Sequence, residues 1–304
     1  MSAQACAAPR QLPRLDSARI QAQVAGCPRL PSLRSIDSAL RELLNADQRY
    51  THQIAEVIRR DPSLTARLLR LVNSVYYGLP NPISNLEEAV LYLGLRQIRQ
   101  LVMVTPIIED FQKLTAGVSY SWREFWQHCI GTAILTREVM ASLEAPDDES
   151  DYVAGLTHDV GKLVMAWAFP EHFQALYQIQ AETEEEMLTA EQSVLGINHA
   201  ELGGLYLRHY RLPEVLVETA RHHHHPEYAA HHGKIVAAVQ IADLLMRQAH
   251  IGESGNLGQI TDEIWINASG WGILFPRGQE EKVIAQASLK RSLERLPALL
   301  QGLV

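Results

Sequence analysis

The chain has 304 residues, 47% of them hydrophobic and 20% charged, the ordinary mix of a globular protein with room for two lobes. No apolar run approaches the ~20 residues of a bilayer span and residues 1–31 carry no signal-peptide core, so a cytoplasmic protein without membrane spans is expected. The net charge of -8 is uneven: residues 1–115 hold 14 Lys and Arg against 10 Asp and Glu, and residues 116–304 hold 13 against 25. An acidic second half repels phosphate backbones, so nucleic acid is not an expected partner. The three cysteines (Cys6, Cys27, Cys129) are scattered and odd in number, which fits neither a disulfide framework nor a zinc ribbon.

Residues 1–24 mix Ala, Gln, Pro and Arg without a clear period and read as a loose leader. Cys27-Pro28-Arg29-Leu30-Pro31 fixes an extended entry to an N-terminal lobe over 25–116. Ile36, Leu40, Leu43 and Leu44 mark one helical face there, and Ile54, Val57 and Ile58 mark a second. Asp61-Pro62 opens a third helix, with Leu64, Leu68, Leu71 and Val72 as its buried stripe and Gly78-Leu79-Pro80 as its end. Asn85-Leu86-Glu87-Glu88 has capping-box spacing, starts a helix through Leu93 and stops at Gly94. A further helix runs from Leu95 through Thr105. No stretch alternates with period two, and Arg59, Arg60, Arg67, Arg70, Arg96 and Arg99 read as a helix surface.

After a linker at Gly117–Ser121, a second lobe over 117–250 opens with a helix from Trp122 to Met140. Its core stripe is Trp122, Phe125, Trp126, Cys129, Ala133 and Ile134, with His128 on the flank. A loop at Ala145–Ser150 leads to Thr157-His158-Asp159-Val160-Gly161-Lys162, a polar knot between apolar flanks. A glutamate-rich helix (Glu182, Glu184, Glu185, Glu186, Glu191) reads as a solvated face. Asn198 caps a helix carrying Leu202, Leu205 and Tyr206, and another runs from Leu212-Pro213-Glu214 to His222-His223-His224-His225-Pro226. The helix Ile235–Met246 is apolar nearly all round and therefore buried. Residues 251–304 form a glycine-rich connection followed by one or two terminal helices.

Asp243 lies in the middle of that apolar helix, where an unpaired carboxylate costs several kcal/mol. It therefore calls for a cationic partner: an arginine, a lysine or a metal ion. His128, His158, Asp159, His199, His223, His224 and Asp243 form a His/Asp set without cysteine, placed at the ends or flanks of helices. Such donors suit a mid-series divalent metal (manganese, iron, nickel) or magnesium better than structural zinc. Two ions sharing Asp159 would activate water and clamp a phosphoryl group. Lys162, three to four residues further on, shares a helical face with the His-Asp pair and serves either phosphate or an ion pair. At least two of His222–His225, together with His231 and His232, are surface residues on this reading.

Over Cys27–Asp243 the chain resembles the HDOD family, the HD-related output domains of bacterial signalling. The resemblance rests on Leu30-Pro31, Ile58–Thr65, Leu69–Ser74, Ala89–Gly94 and Phe125–His128, and then on Gly155–Lys162, Asn198–Gly203 and His223–Pro226. It implies an all-α protein, with an HD-domain-like helical lobe packed against an N-terminal helical bundle. It also places one metal on His128, His158, Asp159 and Asp243 and a second on His199, His223 and His224. HDOD proteins are regarded as signalling output or scaffold modules, whereas HD relatives are metal-dependent phosphohydrolases. His225-Pro226-Glu227-Tyr228 holds no Gly-Tyr-Pro, so hydrolysis of cyclic di-GMP is not implied. The expected function is a regulatory module that binds a signalling protein or a nucleotide second messenger. The alternative is a phosphohydrolase with Asp159 and Lys162 as its catalytic residues.

Overall fold

The protein is described here by a computed structural model covering residues 12–27, 62–73, 81–94, 117–143, 150–179, 181–255 and 258–303, with positions 55, 58, 59, 79 and 98. Every regular element among the described residues is helical. In chain order they are α1 (Ser17–Gly26), α2 (Pro62–Val72), α3 (Trp122–Ser142), α4 (Ser150–Thr157), α5 (Val160–Ala168), α6 (Pro170–Tyr177) and α7 (Glu184–Val194). There follow α8 (His199–His209), α9 (Glu214–His222), a 3-10 turn (Pro226–Tyr228), α10 (Gly233–Gln248), α11 (Asp262–Ile266), α12 (Ser269–Leu274) and α13 (Gln279–Leu303). Residues 86–94 are helical as well, and Gly94 closes them with φ +76°.

Local chemistry explains most of these boundaries. Asn198 and Thr183 cap α8 and α7 by accepting the N–H of Glu201 and Glu186. Glu186 also reaches back to accept the Glu182 N–H at 2.8 Å, one residue before the cap. Asn85 accepts from Glu87 N and Glu88 N, as its position before the helix requires. In the N-terminal half, Leu68, Leu71 and Val72 are buried on α2. Arg59 is half exposed beside Glu87, and Arg70 is exposed. The helix expected around Ile36–Leu44, all but Ile98 of the one beyond Leu95, the loop at 145–149 and Arg60, Arg96 and Arg99 lie outside the described residues.

Helices α3 and α10 cross closely. A Cβ on Gly131 would meet Met246 Cε at 2.2 Å, so glycine permits the approach. One turn before Gly131 lies His128, and three residues before Met246 lies Asp243, so the same crossing brings those two side chains together. The α5–α8 pair is tighter still: a Cβ on Gly161 would sit 1.8 Å from the His199 carbonyl oxygen. Trp265 and Trp271 are fully buried and donate their indole N–H groups to Ile241 O and Trp265 O, seating α11 and α12 on α10. The single long helix α13 then packs on both α3 and α2, joining the two halves of the chain.

The leader is not wholly loose. Asp16 accepts the Arg19 N–H and starts α1, and Leu15, Ile20 and Val24 are buried against α8 and α5. Leu15 N donates to Leu195 O, and Tyr210 Oη donates to Cys27 O. Two apolar residues four apart on an otherwise polar helix give a stripe too narrow to stand out in sequence, yet the α5–α8 groove covers it.

Candidate metal centre

The knot at His158-Asp159 is the two-residue turn between α4 and α5. Around it stand His128 from α3, Asp243 from α10, His199 at the start of α8, and His223 with His224 just after α9. All seven are buried, none more than 6% exposed. His128 Nε2 is 2.9 Å from Asp243 Oδ1, and His158 Nε2 is 3.4 Å from Asp159 Oδ2 and 3.7 Å from Asp243 Oδ1. On the other side, Asp159 Oδ1 lies 3.3 Å from His199 Nε2 and 3.7 Å from His223 Nε2. Asp159 thus turns one oxygen toward each half of the expected set.

The far nitrogens of the rings are committed. His158 Nδ1 donates to Gly155 O at 2.7 Å, and His223 Nδ1 donates to Ala220 O at 3.0 Å. A carbonyl only accepts, so Nδ1 carries a proton in both rings and Nε2 faces the centre. His199 Nδ1 donates to Glu191 at 2.7 Å, which leaves its Nε2 2.9 Å from His224 Nε2. Glu218 accepts the N–H groups of Ala230, His231 and His232, and Gln240 donates to His224 O at 2.7 Å. These bonds hold the segment after α9 that carries the paired histidines.

The electrostatics favour a cation. Burial works to raise the carboxyls of Asp159 and Asp243, but their partners prevail and hold both well below the usual range. Those partners are Lys162, His158 and His199 for Asp159, and His128, His158 and Arg247 for Asp243. Burial lowers His128 and His199 and, with the neighbouring histidines, holds His223 well below its ordinary value, keeping these rings neutral. His158 goes the other way: burial opposes it, yet Asp159 and Asp243 together push it up to about 10. His128 Nε2, His158 Nε2, Asp159 Oδ1 and His223 Nε2 are all buried without a well-formed hydrogen bond. Four convergent ligand atoms left unsatisfied, with the His158 and His223 rings fixed by bonds on their far side, are what a bound divalent ion would complete, taking the place of the His158 proton. His128, His158 and Asp159 form one compact group of ligand atoms, and His199, His223 and His224 another. The residues present therefore fit the metal.

Lys162 lies in the first turn of α5 with its Nζ 2.7 Å from Asp159 Oδ2, an ion pair inside the site. It also lines a cavity of about 40 Å³ with Tyr120, Phe173, Tyr177, Met187, Glu191 and Ser254. Arg247 Nη1 is 3.6 Å from Asp243 Oδ2 and supplies the cationic partner that an aspartate in an apolar helix demanded. Two site-building residues do not match the sequence expectation of a solvated acidic face. Glu191 is buried on His199, and Glu184 bonds His224 at 2.9 Å and pairs with Arg247. Their seven-residue spacing on α7, with buried Met187 between them, is the signal that distinguishes them from the exposed Glu185. His222 and His225 lie outside the centre, as expected for two of the four.

Residues 30–226 match the HDOD domain model, more than half of the chain. The chain belongs to the HDOD family. The match ends before α10, so Gln240, Asp243 and Arg247 lie outside it. An HDOD domain protein of unknown function from Geobacter sulfurreducens has a similar structure, with a TM-score of 0.75 and 25% identity over 95% of this chain and 99% of that one. A protein from Shewanella amazonensis, provisionally named a phosphohydrolase, shares the fold with a TM-score of 0.68 and 23% identity over 95% and 99% of the two chains. An uncharacterized protein of Treponema pallidum is 27% identical over 235 residues, 76% of this chain. That stretch is 44% of the Treponema protein, so this HDOD chain spans under half of that relative's length. No helix among the described residues is long and apolar enough to cross a membrane.

Proposed function

We propose that this HDOD protein is a signalling output module that binds divalent metal in its second lobe and acts by binding a protein or nucleotide. The observation that carries this reading is the enclosure of the centre. All seven ligand candidates are buried, Lys162 is tied down on Asp159, and the cavity that reaches Lys162 is about 40 Å³. That is space for a few waters, so a protein or nucleotide would be bound outside the centre and not turned over in it. His128, His158, Asp159 and Asp243 would hold one ion, and His199, His223 and His224 with Asp159 a second. Bound there, the ions would supply charge that fixes the turn between α4 and α5 against α3, α8 and α10.

A second reading is favoured by the four unsatisfied ligand atoms beside a lysine: a metal-dependent phosphohydrolase. In that case the metal would polarise a phosphoryl oxygen and lower the pKa of a bound water. Asp159 would orient the ligand set and Lys162 would leave its ion pair to neutralise a phosphate oxygen. The name of the Shewanella protein points the same way, but at 23% identity that likeness reaches the fold alone. The test is to assay manganese-loaded protein against cyclic dinucleotides, nucleoside phosphates and a generic phosphodiester, beside an Asp159→Ala variant. No turnover above the variant, together with saturable nucleotide or partner binding, supports the output module. Turnover lost in Asp159→Ala overturns it in favour of the hydrolase.

A further inference from the structure

The acidic helix α7 contributes two carboxylates, not one, to the histidine half of the centre. Glu184 in its first turn and Glu191 two turns later lie on one face, with Met187 buried between them. Glu191 takes the His199 Nδ1 proton at 2.7 Å, and Glu184 faces His224 Nδ1 at 2.9 Å. The two rings then meet through their Nε2 atoms, 2.9 Å apart. Two nitrogens so placed, with both outer nitrogens engaged by carboxylates, define a position for one cation, either a proton or a metal ion. Glu184, His224 and Asp243 also cluster as ligand types. That cluster is no third ion site, because the Arg247 guanidinium already pairs with Glu184 and lies 3.6 Å from Asp243.

We infer that Glu184 is a positioning residue of the metal centre: it aims His224 Nε2 through a bond to Nδ1 and takes the closer share of the Arg247 guanidinium, which also pairs with Asp243. Both parts matter for the metal. A histidine whose outer nitrogen is bonded to a carboxylate keeps one ring orientation and gains basicity. With Glu184 in the closer hold, the Arg247 pair with Asp243 stays long at 3.6 Å, whereas a released Arg247 would close on that carboxylate. The bonds from Glu186 N–H to Thr183 and from Glu182 N–H to Glu186 fix the start of α7, the turn that carries Glu184. This inference rests on the metal-binding reading above.

The test is manganese binding to untagged protein, followed by titration and by the metal-induced rise in melting temperature, for the native chain and for Glu184→Ala, Glu184→Asp and Glu184→Gln. Ala removes the contact, Asp keeps the charge but withdraws it by one methylene, and Gln keeps the reach with an acceptor oxygen. Affinity lower by about 10–100-fold in Ala and Asp, with a smaller loss in Gln, which keeps the acceptor oxygen but not the charge, is the expected result. A merely structural role would lower the metal-free melting temperature and leave the affinity unchanged. Native-like affinity in Ala or Asp overturns the inference while the metal reading stands. Asp close to native with Gln as weak as Ala overturns it too, since charge alone would then be at work. No manganese bound by the native protein overturns the metal reading itself and this inference with it.

Discussion

Gly161→Ala is the sharpest single-atom perturbation of this architecture. The added Cβ would lie 1.8 Å from the His199 carbonyl oxygen, 2.7 Å from its carbon and 2.8 Å from Gly203 N. All three obstacles are backbone, so no side-chain rotation relieves them. Bringing the first contact out to 3.0 Å requires α5 and α8 to part by about 1.2 Å, the difference between those two distances. Overpacking of this kind costs about 3 kcal/mol when the neighbour cannot yield. At roughly 2–4 °C per kcal/mol for a lobe of this size, the melting temperature should fall by about 6–12 °C. The same displacement moves Asp159, at the head of α5, away from His199, at the head of α8, stretching their 3.3 Å approach. Metal affinity should therefore fall together with stability. Gly272→Ala, whose Cβ meets nothing within 4 Å, serves as the control and should melt within about 1 °C of native. A Gly161→Ala protein that melts within 2 °C of native and binds metal normally would refute the close-approach argument.

Other outcomes follow from the buried groups. Asp151 and Arg137 form a buried pair at 3.1 Å between α4 and α3, so Asp151→Ala should cost about 3–5 kcal/mol in urea unfolding by breaking it. Burial pushes the Cys27 thiol up to about 12 and raises that of Cys129 as well. Mass-mapped alkylation at pH 8 should accordingly label neither until the protein is denatured. In chelator, His158 contributes stability that is complete below its ordinary 6.5 and is lost as pH climbs toward about 10. Asp159 and Asp243, held low, contribute above about 3.8 and lose that contribution on acidification. The urea midpoint of metal-free protein should thus decline from pH 7 to pH 9, and a midpoint still rising over that interval would contradict the His158 environment. Added manganese should flatten this decline, because ligation takes the place of the proton.

Much of this was legible in the chain itself, for reasons particular residues make plain. The His158-Asp159 turn, the apolar helix around Asp243 and the helix-flanking histidines each carry a strong cost of burial, so their convergence could be read before any geometry. The caps at Asn85 and Asn198 mark their helices in the same way. What stayed hidden depended on three-dimensional partners. Glu184 and Glu191 sit among exposed glutamates, and only the faces of His224 and His199 separate them from Glu185. Arg247 follows Asp243 by one helical turn, a spacing that offers a partner yet says nothing of the competing carboxylate on α7. The leader helix α1 carries two apolar positions, Ile20 and Val24, too few to announce burial without the groove between α5 and α8.

The claim on which the rest depends is that this HDOD centre holds metal through Asp159. Elemental analysis of untagged protein, purified without chelator and equilibrated with manganese, iron or nickel, measures it directly beside Asp159→Ala. The account predicts near-stoichiometric metal in the native protein and a loss of most of it in the variant. A native protein that comes through the same procedure with no metal, or a variant that keeps the full load, would contradict it.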